Sequence, residues 1–389
     1  MAFTLSDEQE LIQRTVRELA EKEIGPRAKE ADLEERFPRD NVAAIAALGL
    51  LGVTLSPEEG GAGADTVALA LACEELAAEC ATTGTFVAIT NAWLSVPLAK
   101  HATESVRAEW LPRILQGEAL GTYGLHEDSV GSDPFRIRTS ARPHETPEDP
   151  TNDAAPATLS GTKDLTFLVG EADLTLVVAR RLGGTTERRV DIYAVPGARD
   201  GVQWGSDESK IGLRGYPAGP LYLTNVQVGP EDLVGAPGQA PEIVRRATQL
   251  ASIGTSACAV GLSRAALEAS VEFANQREQF GHTIANYQAI QHYIADMRIR
   301  TDAARNLVLA AAARLDQDGE ASVAVEEANA AAFDAARHVT KLAIRTHGGA
   351  GFMRDLPVER FARDVRALSA FGRSPDVSKT IVGVQTLEA

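Results

Sequence analysis

The run "LTLVVAR" (Leu174–Arg180) is followed by "VDIYAVPG" (Val190–Gly197), "GVQWG" (Gly201–Gly205) and "PLYLTNVQV" (Pro220–Val228). Each is short, β-branched or alternating, and bounded by Gly, Pro or Asp, which is the pattern of strands joined by turns. These runs decide the fold class, because the chain on both sides of them reads as helix. The strand region is predicted over residues 122–235 and as antiparallel. Inside it, "RPHETPEDPTNDAAPA" (Arg142–Ala157) is rich in Pro and acid and reads as an exposed hairpin excursion without a functional role.

Before the strands, "LSDEQELIQRTVRELAEKEI" (Leu5–Ile24) has Ser6 as N-cap, Gln9 as the reciprocal member of a capping box and Leu5 as a staple residue. Leu11, Ile12, Val16 and Leu19 then recur near helical spacing. A second helix is predicted over Arg39–Ala47, stopping at Gly49, and "SPEEGGAGAD" (Ser56–Asp65) is a glycine-rich loop. Alanine-rich helices over Thr66–Cys80 and Thr85–His101, and a shorter one over Glu104–Leu115, point to a closely packed bundle. Helical patterning returns at Pro241, with long helices over Ile243–Phe280, Asn286–Gln317 and Ser322–Gly349. The predicted fold is α+β: an N-terminal helical domain (1–121), a middle antiparallel β-domain (122–235) and a C-terminal four-helix bundle (236–389).

The 389 residues are 44% hydrophobic and 24% charged, enough for one large or two to three ordinary domains with a real core. A net charge of −16 argues against nucleic acid or an anionic membrane as the main partner, yet leaves room for an anionic small ligand in a local basic pocket. Cys73, Cys80 and Cys258 form no disulfide framework and are expected as reduced, buried thiols of a cytoplasmic protein. The seven histidines are scattered and make no zinc cluster. The N-terminus lacks a signal-peptide pattern, and no uninterrupted apolar run approaches the ~18–20 residues of a membrane span.

Three segments carry candidate chemistry. "NQREQFGH" (Asn275–His282) puts a cation, an amide and an aromatic at a helix end, able to grip a phosphate and stack a purine. "RTHGGAGF" (Arg345–Phe352) offers glycines whose amides suit a phosphate cradle. "GLHEDSVGSDP" (Gly124–Pro134) offers a turn with a hydroxyl and free amides. Taken singly, these read as a capped helix end, a helix stop and a turn.

Taken together and in order, they resemble the acyl-CoA dehydrogenase family along the whole chain. "GLLGVTLSPEEGGAGAD" is similar to its N-terminal-domain loop and "GLHEDSVGSD" to its TEPxAGSD motif. "KIGLRGYPAGPLYLTNVQV" resembles its K-x-G-x-R-G segment, and "REQFG…YQAIQHYIADM" and "HGGAGF…PVERFARD" its two C-terminal signatures. The resemblance implies FAD, with the flavin ring between the β-domain and the C-terminal bundle and the ADP part reaching a neighbouring subunit of a tetramer. Carried over by position, Leu125, His126, Ser132, Phe167 and Ser374 would lie along the flavin in cis. Arg277, Gln279, Phe280, Gln288, Arg345, Gly348 and Gly349 would serve FAD across the interface, with Arg345 standing where many relatives have Gln. The implied reaction is α,β-desaturation of an acyl-CoA or other acyl thioester. A carboxylate base removes the α-proton, the β-hydride goes to the flavin, and an electron-transferring flavoprotein is the expected acceptor.

The sequence departs from this pattern at the centre. The glutamate position, eight residues after Asp364, is Gly372, within "ALSAFGRSPDV" (Ala367–Val377), and the alternative position on the first C-terminal helix is Ala251. His126 replaces Thr, Asp128 replaces Pro, Leu165 replaces the Trp over the flavin and Phe167 the Thr beside it. His126 and Glu127 are the substitute candidates for a base, and Arg373 the candidate for pairing with an anionic substrate group. The competing expectations are an active dehydrogenase with its base elsewhere, a flavoenzyme of different chemistry (elimination or oxygen-dependent), a non-catalytic partner in a mixed tetramer with a paralogue, and a binding protein without flavin.

Overall fold

Ser6 opens the first helix as its sequence context requires: its hydroxyl accepts from Gln9 N, and the Gln9 side chain accepts from Ser6 N. The computed structural model describes residues 3–128, 130–131, 133–144, 155–182, 189–318 and 322–388. Helix α1 (Asp7–Leu19) passes through a π turn at Ala20–Ile24 into α2 (Gly25–Glu34). Helix α3 (Arg39–Ala47) has the predicted bounds, and Gly49 ends the turn after it with φ +69°. Helix α4 (Thr66–Glu79) is followed by a rod made of α5 (Ala81–Ile89), a π segment (Thr90–Ser95) and α6 (Val96–His101), so the predicted second alanine-rich helix starts four residues early. Helix α7 (Glu104–Leu115) again has the predicted bounds.

Seven strands follow: β1 (Gly121–Gly124), β2 (Ser140–Pro143), β3 (Ala157–Phe167), β4 (Leu174–Arg181), β5 (Val190–Pro196), β6 (Val202–Trp204) and β7 (Ala218–Val228). Their order is β1-β4-β2-β3-β7-β6, with β5 on the other edge of β4. The sheet is mixed rather than wholly antiparallel, because β1 and β2 both run parallel to β4. Local alternation sets strand identity but not the direction in which distant strands meet. Strands β2 and β3 pair antiparallel around the predicted excursion, whose tip, residues 145–154, lies outside the described residues. A second apolar core, with Leu159, Val177, Tyr193, Val195, Leu221 and Leu223, fills the sheet's inner face.

The C-terminal block holds five helices among the described residues, where four were expected. These are α8 (Ala240–Gln276), α9 (Gln288–Asp318), α10 (Ser322–His347), α11 (Val358–Leu368) and α12 (Pro375–Glu388). Helix α8 is long and apolar enough to cross a membrane by composition, but 89% of that window is buried, as befits a core helix. It packs on α4 and α5 through glycines: a Cβ on Gly261 would lie 2.1 Å from Glu74 O, and one on Gly254 2.5 Å from Ala88 Cβ. Small residues on both sides are what let these backbones approach. All three cysteines are free and buried, in line with the sequence.

The segment Lys210–Gly215 joins the three blocks. Leu213 N donates to Asp364 Oδ1 of α11 at 2.7 Å, and Arg363 clamps Asp32 of α2 through both terminal nitrogens at 2.9 and 2.8 Å. Arg214 pairs with Glu35.

Candidate functional site

A cavity of about 450 Å³ opens where the turn after β1, strand β3, helix α8 and the 369–374 loop meet. Its walls are Trp93, Tyr123, Leu125, Val130, Leu165, Phe371 and Val377, with His126, Glu127, Asp128, Thr248, Arg373 and Ser374 as the polar lining. Gly372 and Ala251 also line it. Two positions that are 121 residues apart in the chain therefore face one space, and neither carries a carboxylate.

The aromatic wall is continuous. Trp93 stacks on Tyr123 with centroids 4.1 Å apart, and Phe371 stacks between Phe167 at 3.8 Å and Tyr216 at 4.9 Å. Phe167 is buried, stacked on Phe371, and does not line the cavity, whereas Leu165 of the same strand does. Burying a phenyl ring in the apolar core is favourable, and Phe167 does so.

Glu127 is not a free base. Its carboxylate accepts from Lys163 Nζ at 2.8 Å, Arg138 N at 2.6 Å and Thr139 N at 3.0 Å. Burial pushes this acid up, but the Lys163 charge and these hydrogen bonds outweigh burial and hold it below the usual carboxylate range. Burial in turn drives the Lys163 ammonium down to about 8 against the pull of Glu127. His126 is partly buried, and burial followed by the Lys163 charge lowers its pKa, so the ring is neutral at physiological pH. Its ring has no hydrogen-bond partner among the described residues.

Arg373 does not stand free either. Its Nε lies 2.9 Å from Oε1 of Glu326, a buried residue of α10 that also accepts from Ser378 Oγ at 2.5 Å. Asn329 Nδ2 donates to Arg373 O at 2.9 Å and to Ser378 Oγ at 2.8 Å, and Ser256 Oγ donates to Asn329 Oδ1 at 3.1 Å. This network, invisible to motif reading because its members come from three helices, fixes the loop that carries Gly372. Ser374 lines the cavity, and Ser132 lies outside the described residues.

The remaining candidates occupy a separate surface. Helix α8 ends at Gln276 rather than Phe280, and β8 (Glu278–Gln279) pairs with β9 (His282–Thr283). Phe280 and Gly281 form the two-residue turn with φ +52° and +88°, so Gly281 closes a hairpin instead of stopping a helix. Phe280 is 91% exposed, and Arg277, Gln279, Gln288, Arg345, Gly348 and Gly349 are exposed with it. The rings of Phe273, one turn before Arg277, and His347, next to Gly348, lie 4.4 Å apart, which brings the hairpin and the glycine turn to one end of the bundle. The Arg345 guanidinium sits 5.3 Å from the Tyr293 ring.

The chain matches the acyl-CoA dehydrogenase N-terminal domain over residues 6–118, the middle domain over 122–226 and the C-terminal domain over 242–386. It belongs to the acyl-CoA dehydrogenase family. It is 32% identical to an acryloyl-CoA reductase (NADH) of Anaerotignum propionicum, covering 100% of this chain and 96% of that protein. It is 30% identical to a 3-(aryl)acrylate reductase of Clostridium sporogenes, with 100% of each covered. Its fold matches the butyryl-CoA dehydrogenase of Megasphaera elsdenii with a TM-score of 0.91, at 28% identity and 100% coverage of each chain. Within the acyl-CoA dehydrogenase family, then, the helix–sheet–helix plan is kept, while the cavity lining carries a Gly and an Ala at the two positions where a base was sought.

Proposed function

We propose that the protein is an FAD-dependent oxidoreductase that interconverts a saturated acyl group and its α,β-unsaturated form, as a thioester or a related acid. The observation that carries this reading is the convergence of Gly372, Ala251, His126 and Arg373 on one aromatic-walled cavity. The cavity is roomy enough for a small acyl group and is lined mainly by apolar and aromatic side chains with a few polar groups, as ligand sites are. The relatives named as reductases of acryloyl-CoA and aryl acrylates extend the reading to the reductive direction.

The residues fit the cofactor. A Cβ on Gly348 or Gly349 would meet nothing within 4 Å, so both leave open backbone that a phosphate can approach. The Arg277 guanidinium has no ion-pair partner among the described residues, and Phe280 presents an unpartnered ring. In this reading Leu125, His126, Ser132 and Ser374 hold the ring end in one copy. Arg277, Gln279, Phe280, Gln288, Arg345, Gly348 and Gly349 of a second copy hold the nucleotide end, within a tetramer. FAD supplies hydride chemistry when bound. This chain's own residues shape the acyl pocket, exclude water with aromatic side chains and keep His126 neutral. An electron-transferring flavoprotein is the proposed redox partner.

A second reading, a non-catalytic partner in a mixed tetramer, draws on the contrast between the altered cavity and the kept outer surface. A visible absorption spectrum of the protein purified alone, followed by anaerobic addition of acyl-CoAs and 2-enoyl-CoAs, separates the two. Bound flavin that bleaches with an acyl thioester, or whose reduced form is reoxidised by an enoyl thioester, supports the oxidoreductase. Protein without flavin that acquires it only with a paralogue supports the partner subunit.

A further inference from the structure

The loop that would hold a base holds a cation. Arg373 follows Gly372 directly, lines the same cavity and is fixed from behind: Glu326 sits 2.9 Å from Nε, and Asn329 pins its carbonyl. The pairing is incomplete. Arg373 Nε is buried and out of alignment for a hydrogen bond, and Glu326 is its one carboxylate partner among the described residues. Nε is taken up by the ion pair with Glu326, while the two terminal nitrogens have no hydrogen-bond partner among the described residues, which leaves them for a second planar anion bound through paired N–H groups.

The other charges around the cavity do not compete for that role. Glu127 is neutralised by Lys163 at 2.8 Å, His126 is neutral, and Asp128 is exposed to water at the rim. A base cannot be regained at 372 without displacing Thr255, whose Oγ1 would lie 2.6 Å from a Cβ there. The remaining lining is Trp93, Tyr123, Leu125, Leu165, Phe371 and Val377, which suits an apolar or aromatic body.

We propose that Arg373 is a specificity-determining residue that recognises a carboxylate on the substrate, and that the cavity takes apolar carboxylates. The carboxylate can come from a free acid or from the far end of an acyl chain held as a thioester. The inference rests on the oxidoreductase reading for the identity of the cavity as the substrate site.

The test is calorimetric binding to the purified full-length protein with two matched pairs of probes: 3-phenylpropanoate against 3-phenylpropanamide, and glutaryl-CoA against pentanoyl-CoA. At least tenfold tighter binding of the carboxylate member is expected in one pair, and which pair shows it identifies the source. Arg373→Gln is expected to erase that ratio by weakening the carboxylate member at least tenfold more than the neutral one, and Arg373→Lys to keep part of it. A merely structural arginine would weaken both members alike. Equal binding of both members by the wild type, or an equal loss for both in Arg373→Gln, overturns the inference. Flavin content measured on the same samples separates the two proposals. A flavin-bearing protein that bleaches with neutral thioesters and shows no carboxylate preference leaves the oxidoreductase reading standing and this one fallen. A preference in protein that never binds flavin does the reverse.

Discussion

A side chain on Gly372 would begin 2.6 Å from Oγ1 of Thr255. Thr255 is fully buried on α8 and donates that hydroxyl to Ala251 O at 2.9 Å, so it has no cheap way to yield. The space where a side chain at 372 would start is thus already filled by Thr255. Gly372→Glu is expected to cost roughly 1–3 kcal/mol of stability, as overpacked core positions do. Thr255→Ala is expected to restore most of that loss when combined with it. Thermal melts of the two single variants and the double variant check this, and additive losses would mean that the two residues do not meet.

The Glu127–Lys163 pair holds the turn after β1 to the sheet, with both side chains essentially buried. Glu127→Gln is expected to destabilise by roughly 3–5 kcal/mol, because Lys163 must either stay charged without a counter-ion or give up its proton in a buried site. Adding Lys163→Met should recover part of the loss, so that the double variant is less damaged than the sum of the singles. Urea midpoints decide it. An exposed, weak pair would give losses below about 1 kcal/mol.

Burial raises the Asp364 carboxyl to about 6 from an ordinary 3.8, although Leu213 N donates to it. Between those values the folded chain binds a proton that the unfolded chain has released. Its contribution to stability is therefore complete below pH 3.8 and is lost as pH rises through 6. Asp364→Asn keeps an acceptor for Leu213 N and cannot titrate. From pH 4 to 7 the wild type is expected to lose roughly 3 kcal/mol relative to this variant. Parallel curves would show that Asp364 is ionised throughout.

Phe280 is 91% exposed at the tip of a two-residue turn. Phe280→Ala is expected to change the stability of an isolated subunit by less than about 0.5 kcal/mol. The same change should lower flavin retention and shift the proposed tetramer towards smaller species, read by absorbance and by light scattering. Unchanged flavin content would remove Phe280 from the proposed cofactor surface.

Local chemistry was legible where one segment decides its own shape. The Ser6–Gln9 capping box and the bounds of α3 and α7 needed no distant partner. The hairpin at Phe280 was read as helix because a non-glycine residue with positive φ has no strong sequence mark. That Gly372 and Ala251 carry no carboxylate is plain in the sequence. Their common cavity, the Thr255 contact and the Glu326–Arg373 pair depend on how three distant helices meet, which no single segment records. Phe167 shows the same limit: its place in the motif was clear, but its stacking on Phe371 was set by a loop two hundred residues on.

The parallel pairing of β1 with β4 also fixes an order of assembly. Gly121 meets Leu174 and Gly124 meets Val177, so β1 has no partner until more than fifty further residues have been made. Closing so large a loop for a four-residue strand is slow, and it cannot proceed hairpin by hairpin. The turn bearing Leu125 to Asp128 hangs from that strand, while the opposite wall of the cavity, 369–374, lies near the chain's end. The cavity is therefore among the last parts of the molecule to take shape, since its two walls come together only when the strand at Leu174–Val177 and the loop at 369–374 are both in place.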